Sequence, residues 1–509
     1  MRALVSVSDK TGIVPFVKEL VSLGYEVIST GGTSKALKES GVAVIPVSDV
    51  TGFPEILDGR VKTLHPKIHG GLLAKRDNKE HVETLKEHNI APIDIVVINL
   101  YPFEKTIAKP NVSFDEAIEN IDIGGPTMIR SAAKNHESIC VVVEPSDYDS
   151  VIVELKKTNN KPTKEFKKQL AQKAFSHTAR YDSLISGYLK DADNENSLPE
   201  TICPILTKES DLRYGENPHQ KASFYSLANE KGLPDLEQLN GKELSYNNII
   251  DIEAAWRISK EFEIPAAVII KHNNPCGAAI GDSLKEAFEK AWAGDPISAF
   301  GSIVGINRAV DLATAEAISQ YFVEVIVAPD FDSEALELLT KKKALRLIKL
   351  ADYFMDLPEL GLRHVPGGIL VQSQDTKKVV AAELDQITSE KPTQKQINDL
   401  LFAFAMVKHV KSNAILIAKD GQVLGVGAGQ MSRVEAVEIA IKKAGENIKG
   451  AVLASDAFFP FKDSVEFAIE AGVTAFIQPG GSKRDQESID VCNDNNIPMV
   501  YTGVRHFKH

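Results

Sequence analysis

The chain has 509 residues, of which 43% are hydrophobic and 25% are charged, a composition that argues against wholesale disorder, collagen and coiled coil. Its length corresponds to several domains, each with room for a buried core. The 70 acidic side chains outnumber the 58 lysines and arginines, and the formal net charge of −12 disfavours nucleic acid and anionic membranes as general partners.

The cysteines and the N-terminal segment both predict a reduced, cytoplasmic protein. The chain has four cysteines, which are too far apart for a Cys-x-x-Cys zinc pair and too few for a disulfide framework. The N-terminal segment reaches the acidic residue Asp9 after only a few apolar positions, so it lacks the apolar region of a signal peptide. No stretch approaches the ~18 uninterrupted apolar residues of a membrane-spanning helix, so no membrane partner is expected.

The N-terminal region alternates between short apolar strands and amphipathic helices. This alternation, with Gly24 and Gly41 placed just after helices, predicts a parallel sheet that is covered by helices on both faces. The region from 146 to 189 is mostly helical in pattern. The predicted strands span residues 4–7, 25–28, 42–47, 95–100 and 139–143, and the predicted helices span residues 12–23 and 34–39.

A polar segment from Lys190 to Pro199 lacks any hydrophobic period and marks a boundary between two larger regions. We therefore expect one domain at 1–197, with an α/β core of about 1–145 and a helical extension, and a second region at 198–509. No tandem repeat is visible in the sequence. The predicted strands of the second region span residues 267–270, 303–306, 325–327, 451–454 and 473–477, together with a hairpin of 414–418 and 423–426 around Lys419-Asp-Gly421.

Two loops that follow predicted strands have the composition of anion-binding loops. Residues 6–12 are Ser-Val-Ser-Asp-Lys-Thr-Gly, and residues 29–33 are Ser-Thr-Gly-Gly-Thr. Small hydroxyl residues, glycines and exposed N–H groups at a helix N-terminus bind anions, and Lys10 adds a full positive charge. Ordinary helix capping explains either loop alone equally well. Two such loops on neighbouring strands favour a phosphate site.

A basic segment runs from Arg60 to Arg76 and contains five lysines or arginines, two histidines and no acidic residue. Because the chain is acidic overall, this concentration predicts binding of an anionic small molecule. The alternative is a metal pair, since His65 and His69 have the i, i+4 spacing of zinc ligands. Pro66 lies between them and no third ligand is near in sequence, so zinc is the less favoured interpretation.

Two polar residues, Tyr101 and Asp122, lie at the ends of predicted elements, which are positions where acid–base residues are often found. Tyr101 lies in Asn-Leu-Tyr-Pro-Phe at the end of a predicted strand. Asp122 lies in Ile-Asp-Ile-Gly-Gly-Pro-Thr before a helix that carries Arg130 and Lys134. A boundary aromatic and a helix cap are the ordinary interpretations of Tyr101 and Asp122. Their position at the ends of elements makes both candidates for proton transfer.

These motifs together resemble the IMP cyclohydrolase domain of a family of bifunctional purine biosynthesis enzymes, in which AICAR formyltransferase is joined to IMP cyclohydrolase. The two anion loops alone would fit any methylglyoxal-synthase-like domain. The run Gly-Arg-Val-Lys-Thr-Leu-His-Pro at 59–66 is far more specific. Further motifs resemble the formyltransferase domain in its expected order, at residues 212–220, 244–248, 271–277, 298–302, 427–433 and 455–461.

The resemblance covers nearly the whole chain and implies both a fold and a function. The implied fold is an α/β protein with an N-terminal methylglyoxal-synthase-like doubly wound parallel sheet. A C-terminal formyltransferase unit follows, with two cytidine-deaminase-like α/β subdomains at about 198–365 and 366–509. The implied reactions are formyl transfer from 10-formyltetrahydrofolate to 5-aminoimidazole-4-carboxamide ribonucleotide (AICAR), then dehydrative ring closure to IMP. The implied assembly is a homodimer through the C-terminal domain.

A second function class remains open at this point, a monofunctional formyltransferase whose N-terminal domain is inactive or senses an effector. Four residues that match the cyclohydrolase motifs count against it. These implied catalytic residues of ring closure are Lys62, Tyr101, Asp122 and Lys134, with Asp122 and Lys134 as an acid–base pair. The implied ligands of the nucleotide and its phosphate in the same domain are Ser8, Lys10, Ser29, Gly31, Thr33, Arg60 and Thr63.

For formyl transfer the resemblance implies Lys271 and His272 as catalytic residues and Asn413 as the group that binds the carboxamide. A histidine suits a general base at neutral pH, and a neighbouring ammonium can stabilise an oxyanion. Adjacent residues serve one site only where a strand ends, because strand neighbours face opposite sides. The residues that match positions near the nucleotide or the folate are Arg213, Tyr214, His219, Arg433, Phe458, Asp463 and Arg505.

The expected cosubstrate is 10-formyltetrahydrofolate, and no zinc is expected. Pro275-Cys276 is similar to part of the zinc motif of cytidine deaminases, but Gly277, Ala278 and Ala279 follow it, so the second thiolate is absent. Ring closure needs positioning, oxyanion stabilisation and proton transfer, which imply no cofactor. The sequence leaves a requirement for a monovalent cation open.

Overall fold

The computed structural model describes residues 1–189, 198–227, 231–351 and 360–509. The chain divides into two compact units, Met1–Ile205 and Leu206–His509. The predicted linker at 190–199 lies almost entirely outside the described residues, and the predicted boundary after residue 197 therefore stays a prediction. Within the described ranges, no helix is long and apolar enough to cross a membrane.

The first unit has the predicted α/β architecture. In its described residues a parallel sheet has the strand order β3-β2-β1-β4-β5. The strands are β1 (Arg2–Val7), β2 (Glu26–Ser29), β3 (Val44–Pro46), β4 (Ile95–Asn99) and β5 (Cys140–Val142). The helices are α1 (Ile13–Ser22), α2 (Gly31–Glu39), α3 (Val47–Thr51), α4 (Pro66–Leu73), α5 (Lys79–Glu87), α6 (Phe103–Ile107), α7 (Phe114–Glu119), α8 (Gly124–Lys134), α9 (Tyr148–Lys157) and α10 (Lys164–Tyr188).

The order of the strands fixes where this unit can bind a ligand. The chain passes from β1 outward to β2 and β3, then returns to place β4 on the other side of β1. The loops after β1 and β4 therefore leave the sheet in opposite directions and open a crevice at its carboxyl edge. The strands are apolar throughout, and Leu4, Val96 and Val141 are fully buried because helices cover both faces.

The second unit, in its described residues, is built on one mixed sheet with the order β16-β21-β20-β19-β17-β18-β10-β9-β11-β12-β13-β8. Two separate hairpins, β6–β7 and β14–β15, accompany it. The strands are β6 (Leu206–Leu212), β7 (Ala222–Leu227), β8 (Glu237–Asn240), β9 (Ala266–Lys271), β10 (Asn274–Ile280), β11 (Ser302–Ile306), β12 (Val323–Ala328), β13 (Arg346–Lys349), β14 (Leu360–Val365), β15 (Gly368–Ser373), β16 (Asp385–Gln386), β17 (Ile415–Lys419), β18 (Gln422–Gly427), β19 (Ala451–Ser455), β20 (Val473–Gln478) and β21 (Met499–Tyr501).

The helices of this unit form a layer on each face of the sheet. One face carries α11 and α16, which share a core that includes Trp256 and Phe402. The other face carries two separate cores, one around Phe288 and one around Phe459. The helices are α11 (Tyr246–Ser259), α12 (Leu284–Gly294), α13 (Pro296–Ala299), α14 (Leu312–Ser319), α15 (Ser333–Leu339), α16 (Gln394–Val407), α17 (Arg433–Ala444), α18 (Asp463–Ala471) and α19 (Asp485–Asp494).

The large sheet contains a structural repeat. Its first half has the order β8-β13-β12-β11-β9-β10, and its second half has the matching order β16-β21-β20-β19-β17-β18. The halves meet where β10 pairs antiparallel with β18. The topology thus recurs although no repeat is visible in the sequence, in agreement with the two similar subdomains that the resemblance implied. The predicted subdomains at 198–365 and 366–509 hold one repeat each, and their predicted boundary falls in the turn of the β14–β15 hairpin.

Candidate functional site

In the first unit the loops after β1 and β4 are joined by the side chain of Asn99. The backbone N–H groups of Ser8 and Asp9 donate to Asn99 Oδ1 at 2.6 and 2.8 Å, and Asn99 Nδ2 donates to the Asp9 carbonyl at 3.0 Å. These bonds fix the first anion loop at the crevice between β1 and β4. Sequence reasoning placed Asn99 in a motif and gave its side chain no role.

The N-terminus of α2 is open to an anion. No side chain caps this helix, so its first N–H groups have no partner from a capping residue. The Lys10 ammonium lies beside it, 3.8 Å from where a Cβ on Gly32 would be. Ser29 Oγ is buried and has no hydrogen-bond partner within the described residues. Thr33 is different, because its hydroxyl donates to the Val7 carbonyl at 2.9 Å and accepts from the Val7 N–H at 3.0 Å.

Asp122 lies just before α8, at the same edge of the sheet. Its Oδ1 accepts the Gly125 N–H at 2.8 Å, and its carboxylate also accepts from the Tyr101 backbone. Burial raises the pKa of Asp122, although these hydrogen bonds and the nearby Lys62 charge oppose the rise. A Cβ on Gly125 would lie 2.5 Å from Asp122 Oδ2, so only glycine fits there. The Tyr181 hydroxyl accepts the Asp122 N–H at 2.7 Å.

Three of the four residues predicted for ring closure thus lie together. Lys62 is near enough to act on Asp122, and its ammonium is 3.5 Å from Glu55 Oε1. The Tyr101 side chain is 49% exposed and therefore accessible to a substrate. Thr63 is buried, with its hydroxyl 2.7 Å from where a Cβ on Gly124 would be.

Two predicted residues of the first unit, Lys134 and Arg60, have positions or partners that the sequence did not predict. Lys134 is in the last turn of α8, whose eleven residues span roughly 15 Å at 1.5 Å per residue. Within the described residues the charge that acts on Asp122 is that of Lys62 and not that of Lys134, so the predicted acid–base pair is not in contact in this structure. Arg60 forms a two-pronged ion pair with Glu119, which raises the pKa of the guanidinium.

In the second unit Lys271 and His272 lie at the end of β9. His272 and Asn273 have φ values of 50° and 60° and form a two-residue turn into β10, with Lys271 paired to Asn274. Positive φ at both turn positions matches the hairpin turn that suits the twist of the strands. The strand therefore ends at Lys271, as the sequence predicted. Asp251 Oδ1 accepts the Asn273 N–H at 2.7 Å and holds the turn against α11.

Lys271 and His272 both line a cavity of about 240 Å³. Lys443 also lines it, and its ammonium is 2.5 Å from Asp295 Oδ2. Cys276 also lines the cavity, and burial raises the pKa of its thiol to about 12, which keeps it protonated. Volume, basic side chains and an imidazole make this cavity suited to a polar, anionic substrate.

Asn413 is held in place by a buried ion pair. Its Oδ1 accepts from Arg433 at 2.8 Å, and its Nδ2 donates to the Gln430 carbonyl at 2.9 Å. Arg433 is only 6% exposed and donates to Asp456 Oδ1 at 2.6 Å. The guanidinium thus orients Asn413, and Ser455 and Asp456 are its other side-chain partners within the described residues.

The remaining predicted residues lie in loops or near element ends. Arg213 stands over the ring of Tyr214 with 5.6 Å between the guanidinium carbon and the ring centroid, and His219 is exposed in the same loop. Phe458 is partly exposed after β19, and Asp463 begins α18. Arg505 stands over Phe507 at 4.2 Å. The backbone N–H of His506 donates to the Asp456 carbonyl at 3.0 Å, which brings the C-terminal segment close to Arg433.

The two histidines of the basic segment have separate partners. His65 Nδ1 accepts the Lys67 N–H at 3.1 Å as the cap of α4, and His69 Nδ1 lies 3.1 Å from Ser131 Oγ. Burial lowers the pKa of His69. In the part of the chain that is described, no three His, Cys, Asp or Glu side chains gather as metal ligands. The expectation of no zinc stays a prediction.

Comparison with known proteins gives the family. A family model described as "AICARFT/IMPCHase bienzyme" matches residues 132–443, and one described as "MGS-like domain" matches residues 12–127. Relatives named "Bifunctional purine biosynthesis protein PurH" from Oceanobacillus iheyensis, Thermoanaerobacter sp. and Bacillus cereus are each 56% identical, covering 100% of this chain and 99% of the relative. The chain belongs to the AICARFT/IMPCHase bienzyme family.

The chain is thus a bifunctional enzyme of purine biosynthesis, with AICAR formyltransferase and IMP cyclohydrolase activities. The predicted family, fold class and function are confirmed, and the alternative of a monofunctional formyltransferase is not supported. The crystal structure of ForH is 36% identical, covering 36% of this chain and 97% of its own, but its TM-score of 0.34 supports no structural argument.

In this bienzyme, sequence reasoning missed residues that act on the predicted ones. Tyr181 anchors Asp122, Asp251 anchors the turn of His272, and Asp456 pairs with Arg433. Each lies far in sequence from the residue that it contacts. No local pattern marks them, because a tyrosine or aspartate in an amphipathic element has the same composition whether or not it contacts a site.

Proposed function

We propose that the C-terminal unit transfers the formyl group of 10-formyltetrahydrofolate to the 5-amino group of AICAR, and that the N-terminal unit closes the product to IMP. The main observation in support of formyl transfer is that Lys271 and His272 line one cavity at the end of β9. The convergence of Lys62, Tyr101 and Asp122 at the crevice of the parallel sheet supports the second activity.

Formyl transfer needs a base, because the lone pair of the 5-amino group is delocalised toward the carboxamide and the amine is a weak nucleophile. His272 accepts a proton from this amine as its nitrogen bonds to the formyl carbon. The Lys271 ammonium stabilises the oxyanion that forms on the formyl oxygen. The bond from the formyl carbon to N10 of the folate then breaks, and N10 takes up a proton.

Asn413 binds the carboxamide of the nucleotide in this proposal. One of its two amide N–H groups is used by Gln430, so the other remains to donate to the substrate. Arg433 and Asp456 hold the side chain in this orientation. The proposed ligands of the nucleotide and folate in the C-terminal unit are Arg213, Tyr214, His219, Phe458, Asp463 and Arg505.

Ring closure joins the carboxamide nitrogen to the formyl carbon and releases the formyl oxygen as water. Because burial raises its pKa, Asp122 can hold or release a proton closer to neutral pH than an exposed aspartate can. Lys62 and Tyr101 handle the proton and the developing alkoxide. Lys134 does not contact Asp122 here, and we therefore propose that it acts on the substrate and not on Asp122.

The phosphate of the nucleotide binds at the N-terminus of α2 in this proposal. The buried Ser29 hydroxyl without a partner and the Lys10 ammonium support the assignment. Arg60 joins the site when it exchanges Glu119 for the nucleotide. The proposed ligands of this subsite are Ser8, Lys10, Ser29, Gly31, Thr33, Arg60 and Thr63.

We further propose a cytoplasmic homodimer that associates through the C-terminal unit. The β14–β15 hairpin carries exposed leucine and isoleucine side chains, which a partner copy would cover: Leu360, Leu362, Ile369 and Leu370. Light scattering should give twice the chain mass of 55.5 kDa. A monomer at micromolar concentration would contradict the dimer.

One assay tests the function directly. The purified protein is incubated with AICAR and 10-formyltetrahydrofolate, and the products are separated by chromatography. We expect IMP. The His272→Ala variant should accumulate no formylated intermediate, and Asp122→Asn should accumulate it without IMP. Formation of IMP at the normal rate by Asp122→Asn would remove Asp122 from the site.

A further inference from the structure

The two repeats of the C-terminal unit place a lysine at the same point. Lys271 ends β9 and Lys419 ends β17, and each is followed by a two-residue turn with positive φ at both positions. In each turn the second residue donates its N–H to an aspartate on the preceding helix. Asn273 donates to Asp251 at 2.7 Å, and Gly421 donates to Asp399 at 2.8 Å.

Each lysine also donates to the backbone just before the neighbouring strand, Lys271 to two carbonyls and Lys419 to one. Lys271 Nζ donates to the carbonyls of Phe300 and Gly301 at 3.0 and 2.8 Å, just before β11. Lys419 Nζ donates to the carbonyl of Lys449 at 2.9 Å, just before β19.

A glycine in the left-handed region completes both arrangements. Gly301 has φ +65° and Gly450 has φ +78°. A Cβ would lie 3.5 Å from the Lys271 ammonium at Gly301 and 3.7 Å from the Lys419 ammonium at Gly450. In both repeats the glycine therefore lets the chain turn close to the ammonium before it enters the strand.

The surroundings of the two lysines differ. Lys271 lines the cavity beside His272, whereas neither Lys419 nor its turn is among the cavity's lining residues. Gly421 is covered by Ile280, since a Cβ there would lie 2.5 Å from Ile280 Cγ1. The lysine contact with the carbonyl before the glycine therefore belongs to the shared scaffold, whereas the contact of Lys271 with the Gly301 carbonyl is found, within the described residues, in the first repeat alone.

We propose that Phe300 and Gly301 are positioning residues for formyl transfer, an inference that rests on the proposed roles of Lys271 and His272. An ammonium has three N–H bonds. The two carbonyls take two of them and fix the direction of the third, which points the remaining donor at the site where the oxyanion forms. A donor that is aimed before the reaction lowers the barrier because no reorganisation is needed.

Gly301→Ala tests this proposal, with Gly450→Ala as the matched control in the other repeat. Both place a Cβ at a left-handed glycine beside a lysine, so both should lower the melting temperature. Misplacement of a catalytic group by about 1 Å costs about 10²-fold, so Gly301→Ala should lower kcat for formyl transfer by about tenfold or more. KM for AICAR and the rate of ring closure should stay within twofold, and Gly450→Ala should keep wild-type kcat. Wild-type kcat in Gly301→Ala, or an equal loss in Gly450→Ala, would overturn the proposal.

A double-mutant cycle separates positioning from general damage, which matters because a Cβ on Gly301 would also lie 3.2 Å from Phe322. If Gly301 acts through Lys271, Gly301→Ala should cause no further loss of single-turnover rate in a Lys271→Met background. Additive losses would overturn the proposal. If Gly301→Ala is poorly folded, the same cycle is measured with Phe322→Leu added, which makes room for the new methyl group. The wild-type and His272→Ala assays test the proposed function independently of either result.

Discussion

In the first repeat of the C-terminal unit, the turn after the strand-end lysine is His272-Asn273 and it borders a cavity; in the second, the turn is Asp420-Gly421 and Ile280 covers it. The two repeats have the same strand order, and in each the lysine donates to the carbonyl of the residue before the left-handed glycine, Phe300 or Lys449. The comparison teaches that a few side chains convert a structural hairpin into a candidate active site, while the backbone stays the same.

The largest expected effect on formyl transfer comes from replacing the first residue of the turn, His272 in the first repeat and Asp420 in the second. His272→Ala should lower formyl transfer by about 10²-fold or more, the usual scale for loss of a general base, and should leave ring closure of supplied intermediate intact. The equivalent Asp420→Ala should keep wild-type transfer, because the side-chain contact of Asp420 in the described part of the chain is an exposed ion pair with Lys395. Initial rates with both substrates measure this. Equal losses in the two variants would contradict the assignment of catalysis to the turn of the first repeat and not to that of the second.

Glu261 and His409 follow α11 and α16, and here the repeats contact each other. Burial alone would raise the pKa of Glu261, but a hydrogen bond from His409 at 2.9 Å and the Lys408 ammonium at 2.6 Å lower it to about 2. Because the folded-state pKa is depressed, the stabilisation is present above the ordinary glutamate pKa of 4.5 and is lost as the pH falls toward 2.

Glu261→Gln should therefore lower the free energy of unfolding by roughly 3 kcal/mol at about pH 7 and by clearly less at about pH 3.5. Urea unfolding of the full chain at the two pH values measures the difference. A loss that is the same at both pH values would mean that the carboxylate charge is not what joins the repeats.

A reciprocal exchange tests why the turn of the first repeat borders the cavity and the turn of the second repeat does not. Ala428 lines the cavity, and Ile280 covers the turn in the second repeat. Ala428→Ile should lower kcat/KM for formyl transfer by about tenfold, because the larger side chain takes up cavity space that the substrate needs, and a mismatch of one methylene in a substrate pocket is worth about 1–3 kcal/mol. Ile280→Ala should cost stability and spare the rate. Unchanged kcat/KM in Ala428→Ile would place the substrate elsewhere.

The smallest expected effect concerns the aspartates that hold the turns. Asp251→Ala and Asp399→Ala each remove one acceptor of a turn N–H and should each cost about 1 kcal/mol of stability. Only Asp251→Ala should also lower kcat for formyl transfer, since it loosens the turn that carries His272. Thermal unfolding together with initial rates checks both parts. A fall in kcat for Asp399→Ala would contradict the separation of scaffold and site.

The predictable part of this protein lies in local patterns. The strands of the parallel sheet were predicted to within about two residues, and the hairpin around Lys419-Asp-Gly421 is where the sequence placed it. Lys271 ends its strand as expected, because Asn273 favours a turn, although Asn274 already begins the next strand. Contacts between distant residues could not be predicted. Arg60 was expected to face phosphate, yet it pairs with Glu119, and nothing in the sequence near either residue signals the other.

By itself the sequence determined the α/β periodicity, the strand-end loops, the family resemblance and the identity of the chemical groups, because these depend on side-chain type and local spacing. Only the tertiary structure decided which groups meet: Asp122 with Tyr181, Asn413 with Arg433 and Lys271 with Gly301. It also decided that the two similar halves of the C-terminal unit join into one sheet through β10 and β18, since strand pairing links distant segments. Hydrogen bonds and burial depend on distances in space, so the separation of two residues along the chain does not predict whether they are in contact.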